Sequence, residues 1–465
     1  MMWQRFREKY IGDRAFYRLV LTIALPVMIQ NGISNFVNML DNLMVGSIGT
    51  EQMSGVAICN QLIFVFNLCV FGGLSGASIY GAQFSGKEDL EGVRSVFRFK
   101  LWMVALLSAA GVLILHLFDE PLLSLFLHQG SEQGDLALTL HCARAYLAVA
   151  LLGLPAFALS QAYASSLRET ASTTLPMAAG IAAMFVNLVG NWILIYGRLG
   201  APRLGVVGAA WATVLSRFVE LFVILLFTHL NMKTHPFAKG LYRTVKVPRA
   251  LTGMIIQKGM PLLINEALWS SGQTVLIQIY STRGLAAIAS FNISNTISMV
   301  FNIVFLSLGS SIGIVVGNLL GAGKMDEARR TNTRMAVFSI LCCFVVGGML
   351  AATAGIYPRL YNTTNEVRAM ATSLILITAA VMPCHAYTNA CYFTLRSGGL
   401  TRLTMVYDCC FVWCVCIPLA FCLCRFTSLS FPLVYAVVTA TEGLKAMFGY
   451  YFVRQGKWVR NIVEG

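Results

Sequence analysis

The sequence predicts an all-α integral membrane protein, with twelve transmembrane helices in two pseudo-symmetric six-helix lobes. Three observations carry that expectation. The chain is too apolar for water, apolar runs of bilayer-crossing length recur along it, and its second half repeats the first. Of 465 residues, 57% are hydrophobic and 12% charged, where soluble domains carry about 25% charged residues. That balance excludes an ordinary soluble enzyme or binding domain.

Twelve apolar runs fall at 17–40, 53–80, 94–118, 137–162, 173–197, 206–229, 252–280, 286–316, 335–356, 366–393, 402–425 and 430–453. Each is near the roughly 20 residues an α-helix needs to cross the hydrocarbon core. The run at 137–162 is the weakest. None shows the strict alternation of a lipid-facing barrel strand, so helices are the expected element.

The formal net charge is +14, which on a soluble chain would suggest nucleic acid. Here the basic residues cluster in alternate loops: Arg5, Arg7, Lys9, Arg14 and Arg18, then Lys87, Arg94, Arg98 and Lys100. They return as Lys233, Lys239, Arg243, Lys246, Arg249 and Lys258, as Lys324, Arg329, Arg330 and Arg334, and as Arg454, Lys457 and Arg460. This positive-inside pattern gives a multi-pass protein of the cytoplasmic (inner) membrane with both termini in the cytoplasm and no nucleic-acid partner. Residues 1–16 lack the apolar stretch and cleavage site of a signal peptide. Thirteen cysteines lie almost wholly within the spans, six of them between Cys409 and Cys424. With no CxxC or Cys/His spacing, buried thiols rather than disulfides or zinc are expected.

The repeat is read at an offset of about 235. Pro26 answers Pro261, Asn31 answers Glu266, Asn60 answers Asn295, and Val65-Phe66-Asn67 answers Val300-Phe301-Asn302. GAQFSGK at 81–87 answers GNLLGAGK at 317–324, and Pro155 with Leu167-Arg168 answers Pro383 with Leu395-Arg396. The halves divide as 1–235 and 236–465, joined by a cytoplasmic linker at about 230–250. Six spans per half give both halves one orientation, the arrangement of transporters whose halves rock about a central site.

The first span carries the unusual chemistry. At 100° per residue, Asn31, Asn35, Asn38 and Asn42 form one stripe, with Ser34 and Asp41 on its shoulder. A carboxylate at the centre of a lipid-spanning helix costs about 2.5–3.5 kcal/mol. Beside an amide stripe it suits a wet cavity, although amides also cross-link helices. Gln30, Asn31, Ser34, Asn35, Asn38, Asn60, Asn67, Asn295, Asn302, His385 and Tyr387 are the candidate substrate-binding residues.

From Pro26 to Gly49 the chain reads P-x4-N-x9-D-N-L-M-V-G-x-I-G. With NLVGNWILIYG from Asn187, LGVVGAAWAT from Leu204, the GNLLGAGKMDEAR segment and both Pro…Leu-Arg segments, it resembles multidrug and toxic compound extrusion (MATE) transporters over essentially its whole length. The resemblance implies two six-helix lobes around a V-shaped cavity. It also implies export of amphipathic, often cationic compounds against inward H⁺ or Na⁺, by a protein that needs no cofactor and works as a monomer among membrane lipid. By the same resemblance Asp41 is the first-helix acid of an N-lobe coupling site. Asn187 and Asn191 are its fifth-helix polar residues, and Thr213 its sixth-helix hydroxyl. DinF-like relatives have Asp where this chain has Asn191. Glu266 matches the seventh-helix acid of NorM-type members, whose tenth-helix acid is missing here among Cys384, His385, Tyr387 and Asn389.

Asp41 and Glu266 are therefore the coupling candidates. A carboxylate in a cavity that alternates between wet and closed takes up and loses protons. Sodium instead needs about six hard oxygens, of which Asp41, Asn187, Asn191 and Thr213 supply some, so a metal role for Asp41 and Asn187 arises only with Na⁺ coupling. A permanent ion pair for either acid would draw on Arg144, Arg217 or Lys445. There is no Walker sequence for an ATP-driven pump, since GAGK at 321–324 lacks its first Gly and its Ser/Thr. The expectation is a secondary antiporter rather than an enzyme. The alternative is a flippase of the related superfamily for lipid-linked oligosaccharides or peptidoglycan precursors.

Overall fold

A computed structural model describes residues 10–127 and 136–464. Arg5, Arg7 and Lys9 of the basic N-terminal cluster lie outside the described residues. The described chain is helical throughout. The helices are α1 (Arg14–Gly46), α2 (Thr50–Gly86), α3 (Leu90–Leu117), the short α4 (Asp119–Leu127), α5 (Leu136–Ala150), α6 (Gly153–Glu169), α7 (Thr174–Tyr196) and α8 (Val206–Leu230). After the linker come α9 (Arg249–Ser281), α10 (Leu285–Gly321), α11 (Met325–Thr353), α12 (Asn365–Ser397), α13 (Thr401–Phe426) and α14 (Phe431–Arg454).

Setting the nine-residue α4 aside and counting α5 and α6 as one broken span gives twelve among the described residues, as the apolar runs predict. Among the described residues nine helices are long and apolar enough to cross a membrane on their own, and the α5–α6 pair, bent by 48°, makes ten. The other two, α9 and α14, carry Lys258 and Glu266, and Glu442 and Lys445, within otherwise apolar helices.

The repeat is visible in helix lengths. α1 and α9 are both 33 residues with an internal proline, Pro26 and Pro261. α2 and α10 are both 37 residues. The halves differ at the fourth span. Pro155 stands in the first turn of α6, where its missing N–H would have no partner anyway, whereas Pro383 lies inside the continuous α12. Local signals set the ends. Asp89 accepts from Gly92 N at 2.9 Å to cap α3, Thr364 caps α12 through Val367 N at 3.3 Å, and Gly197 at φ 68° closes α7.

The helices fall into two compact units. One takes Ile29–Gly81 and Asp89–Ile255, and the other takes the chain up to Met28, Ala82–Glu88 and everything from Ile256. In the first unit the inter-half linker packs down as two 3-10 turns. Phe237 and Leu241 are each 1% exposed, and Phe97 meets both Tyr163 and Phe237 edge-on. Arg94 and Arg98 of α3 donate to the Phe237 and Leu241 carbonyls at 3.3 and 2.9 Å, using linker acceptors that no helix satisfies. In the second unit the repeated glycine motifs cross. A Cβ on Gly86 would overlap the Asn318 carbonyl, and one on Gly321 the Gln83 carbonyl. Gln83 ties this crossing to the C-terminus, donating to Ser397 O at 3.0 Å and accepting from Ile462 N at 2.9 Å. All thirteen cysteines are free.

Candidate functional site

The first unit joins four of the five coupling candidates in one chain of hydrogen bonds. Asp41 sits half-buried on α1, five residues before its last residue, Gly46. Asn191 of α7 donates from Nδ2 to Asp41 Oδ1 at 2.5 Å and to Asn187 Oδ1 at 3.2 Å. Asn187 in turn donates to Thr213 Oγ1 on α8 at 3.3 Å. Asn187 and Asn191 are four residues apart, hence on one helix face, and are 3% and 0% exposed. Their amides can be buried only because they satisfy each other. One atom does not join in: Asn191 Oδ1 is buried without a partner.

The in-span bases pair elsewhere. Arg144 bridges Asp119 and Glu120 at 2.8 and 3.0 Å, Arg217 meets Glu220 at 3.2 Å, and Lys445 meets Asp408 at 2.8 Å. Arg217 acts on Asp41 only through longer-range charge, and its guanidinium lies over the Phe157 ring at 5.0 Å. The N-terminal acid is thus held by amides rather than locked to a base.

The second unit is built differently. Glu266 of α9 accepts from Tyr392 at 3.4 Å, with Arg396 and Asp408 both acting on its charge. Its neighbour Asn265, 1% exposed, donates to Asp408 Oδ2 at 3.1 Å. Asp408 Oδ1 receives Lys445 Nζ, and that ammonium lies over the rings of Tyr407 at 5.5 Å and Phe411 at 6.0 Å. Glu442 accepts from Thr388 at 3.2 Å and lies 3.6 Å from His385 Nδ1. His385 stacks on Phe305 with centroids 6.0 Å apart. Sequence reasoning missed Asp408 and Glu442. Their signal was present, since each is an acid inside an apolar run and Glu442 stands one turn before Lys445, but nothing in the spacing paired Asp408 with Lys445. Asp408 falls in the π-helical turn Val406–Cys410, followed by a second at Val412–Cys416, and such turns alter which side chains share a face.

The candidate substrate residues scatter. Ser34, Asn35 and Asn38 are exposed along α1, with the Ser34 hydroxyl donating to Gln30 O at 3.0 Å, and Asn31 is half-buried. Gln30 is buried, and its Oε1 accepts from Arg168 at 3.2 Å. Asn60, Asn67, Asn295 and Asn302 are half-buried on α2 and α10, and Asn67 Oδ1 is enclosed without a partner. Tyr387 packs half-buried against the core formed with α10 and α11.

Apolar helices of bilayer-crossing length with polar sites sunk among them define a multi-pass membrane protein. The family model MatE matches residues 26–193 and 261–422, one block in each half. The chain belongs to the MatE family. It is 24% identical over 463 residues to the probable multidrug resistance protein YoeA of Bacillus subtilis, covering 96% of each chain. It is 27% identical over 410 residues to the multidrug resistance protein PmpM of Pseudomonas aeruginosa, covering 88% of this chain and 84% of that one. Among solved structures, an outward-facing multidrug resistance MATE family transporter of the MOP superfamily superposes with a TM-score of 0.84 at 18% identity, covering 96% of each chain. A MOP superfamily transporter from Pyrococcus furiosus gives 0.85 at 20% identity, again over 96% of each. The twelve-helix MATE fold is this chain's fold.

Proposed function

We propose that the chain is a multidrug exporter working as a monomer in the cytoplasmic membrane, with both termini inside, and that it expels amphipathic cations by antiport against inward H⁺. Relatives named as multidrug resistance proteins support the export reading. The single observation that carries the coupling is the chain Asp41–Asn191–Asn187–Thr213. An acid supported by amides and free of a fixed base alternates between binding a proton and attracting a cation. Protonation removes the charge the substrate needs, so the two exclude each other on one carboxylate.

The same geometry favours H⁺ over Na⁺. Asn191 turns its N–H groups, not its oxygen, toward Asp41 and Asn187, and Thr213 already accepts from Asn187. Beyond the carboxylate, the unpartnered Asn191 Oδ1 is the one oxygen of this chain not already accepting a hydrogen bond, short of the about six that Na⁺ wants. The flippase alternative would call for basic groups to meet pyrophosphate, whereas the acid at 41 speaks for a cationic substrate.

The test is movement of a fluorescent amphipathic cation across vesicles under imposed H⁺ or Na⁺ gradients. Wild type should respond to the H⁺ gradient, Asp41→Asn should not, and Glu266→Gln should keep the response. Transport driven by Na⁺ alone would refute proton coupling. Absence of cation movement under either gradient would turn attention to lipid-linked substrates.

A further inference from the structure

Each half of the chain carries an acid and a base one helical turn apart on its last helix, in opposite order: Arg217 then Glu220 on α8, Glu442 then Lys445 on α14. Such pairs share a helix face. On α8 the two meet each other, Arg217 Nη1 lying 3.2 Å from Glu220 Oε2. On α14 they turn to different partners. Lys445 Nζ goes to Asp408 Oδ1 of α13 at 2.8 Å, while Glu442 is engaged by Thr388 and His385 of α12. The charge of Lys445 therefore lies among acids of three helices: Asp408, Glu442 one turn before it, and Glu266, which interacts with Asp408.

We propose that Lys445 Nζ is the resident cation of this cluster: it occupies the position a free Na⁺ would take, so the C-terminal half binds Na⁺ only when the lysine is removed.

Three features argue for a cation position rather than a chance pair. The lysine side chain is 9% exposed, and a buried ammonium persists only where its surroundings replace water. Those surroundings complement a cation on several sides, with a carboxylate at 2.8 Å and the ring faces of Tyr407 and Phe411. The cluster also holds a spare oxygen. Asn265 is 1% exposed, its Nδ2 is committed to Asp408, and its Oδ1 is buried without a partner. Without the ammonium, the Asp408 carboxylate and the adjoining Asn265 carboxamide supply hard oxygens of the kind Na⁺ takes. With it, Asp408 is filled on both oxygens, and a tethered cation outcompetes a free one through its high effective concentration.

The inference concerns ion binding by the transporter proposed above and does not depend on what it exports, so failed dye efflux and failed Na⁺ binding are separate results. The full-length purified protein is unfolded thermally in NaCl and in choline chloride at equal ionic strength. Wild type should show the same midpoint in both. Lys445→Met should gain a saturable, Na⁺-specific upward shift, and Asp408→Asn combined with Lys445→Met should lose it. A Lys445→Met protein that can be purified only in NaCl supports the proposal as well, because Na⁺ then stands in for the ammonium. The proposal is overturned by a Na⁺-specific shift in wild type that Asp408→Asn removes. Lys445→Met lacking any Na⁺ response, or failing to fold in both salts, overturns it equally.

Discussion

The Asn191 carboxamide donates to Asp41 Oδ1 at 2.5 Å and to Asn187 Oδ1 at 3.2 Å, while its own oxygen is buried and unpartnered. One amide thus both supports the charged form of the acid and is itself aimed by the residue one turn earlier on α7. The arrangement fixes the carboxylate's position without cancelling its charge, as an ammonium or guanidinium would. The C-terminal half makes the opposite choice at Asp408, which receives Lys445 at 2.8 Å.

Removing the donor should cost coupling before it costs the fold. A hydrogen bond to a charged group contributes about 1.5–3 kcal/mol. Asn191→Leu should therefore lower H⁺-driven cation efflux by about tenfold to a hundredfold, with the protein still eluting as a monodisperse species. Efflux equal to wild type would mean that Asp41 does not rely on Asn191.

A second buried pair tests structure rather than transport. Lys100 Nζ meets Glu169 Oε1 at 2.5 Å and donates to the Ser165 and Ser166 hydroxyls at 2.6 and 3.2 Å, with the lysine side chain 0% exposed. Leaving one buried charge without its partner costs about 3–5 kcal/mol, whereas replacing both is far milder. Lys100→Met should lower the thermal midpoint sharply, and Lys100→Met with Glu169→Gln should recover most of the loss. Equal losses in single and double variants would contradict a charge-pair role.

Gly86 offers a steric test. A Cβ there would overlap the Asn318 carbonyl, which belongs to helix backbone and has little room to move. Forcing extra volume into a packed contact costs about 1–3 kcal/mol. Gly86→Ala should reduce the thermal midpoint, whereas Gly348→Ala, with open space around it, should leave it nearly unchanged. A similar midpoint in both variants would show that the crossing of α2 and α10 tolerates separation.

Much of the fold was legible because a bilayer makes helix length and apolarity obligatory. The apolar run at 206–229 became Val206–Leu230, that at 402–425 became Thr401–Phe426, and the weak one at 137–162 became the one broken span. The Asp41, Asn187, Asn191 and Thr213 grouping was legible too, through resemblance rather than spacing. Positions 41, 187 and 213 lie on three helices, and no periodicity within one helix says which neighbour its polar face meets. The same gap hid the Asp408–Lys445 pair. Lys445 was considered as a partner for Asp41 or Glu266, yet its mate stands on the adjoining helix, within π-helical turns that change the facing of Asp408. Gln30 gave a similar surprise: read as a substrate contact, it is buried against Arg168.

Proton exchange at Asp41 is tested most directly without any gradient. Purified protein in lightly buffered detergent solution near neutral pH receives an amphipathic cation, and a pH indicator reads protons released on binding. Wild type and Glu266→Gln should release protons as the cation binds, and Asp41→Asn, which lacks the charge the cation needs, should release none. Equal release from Asp41→Asn and wild type would contradict competition of proton and substrate for that carboxylate.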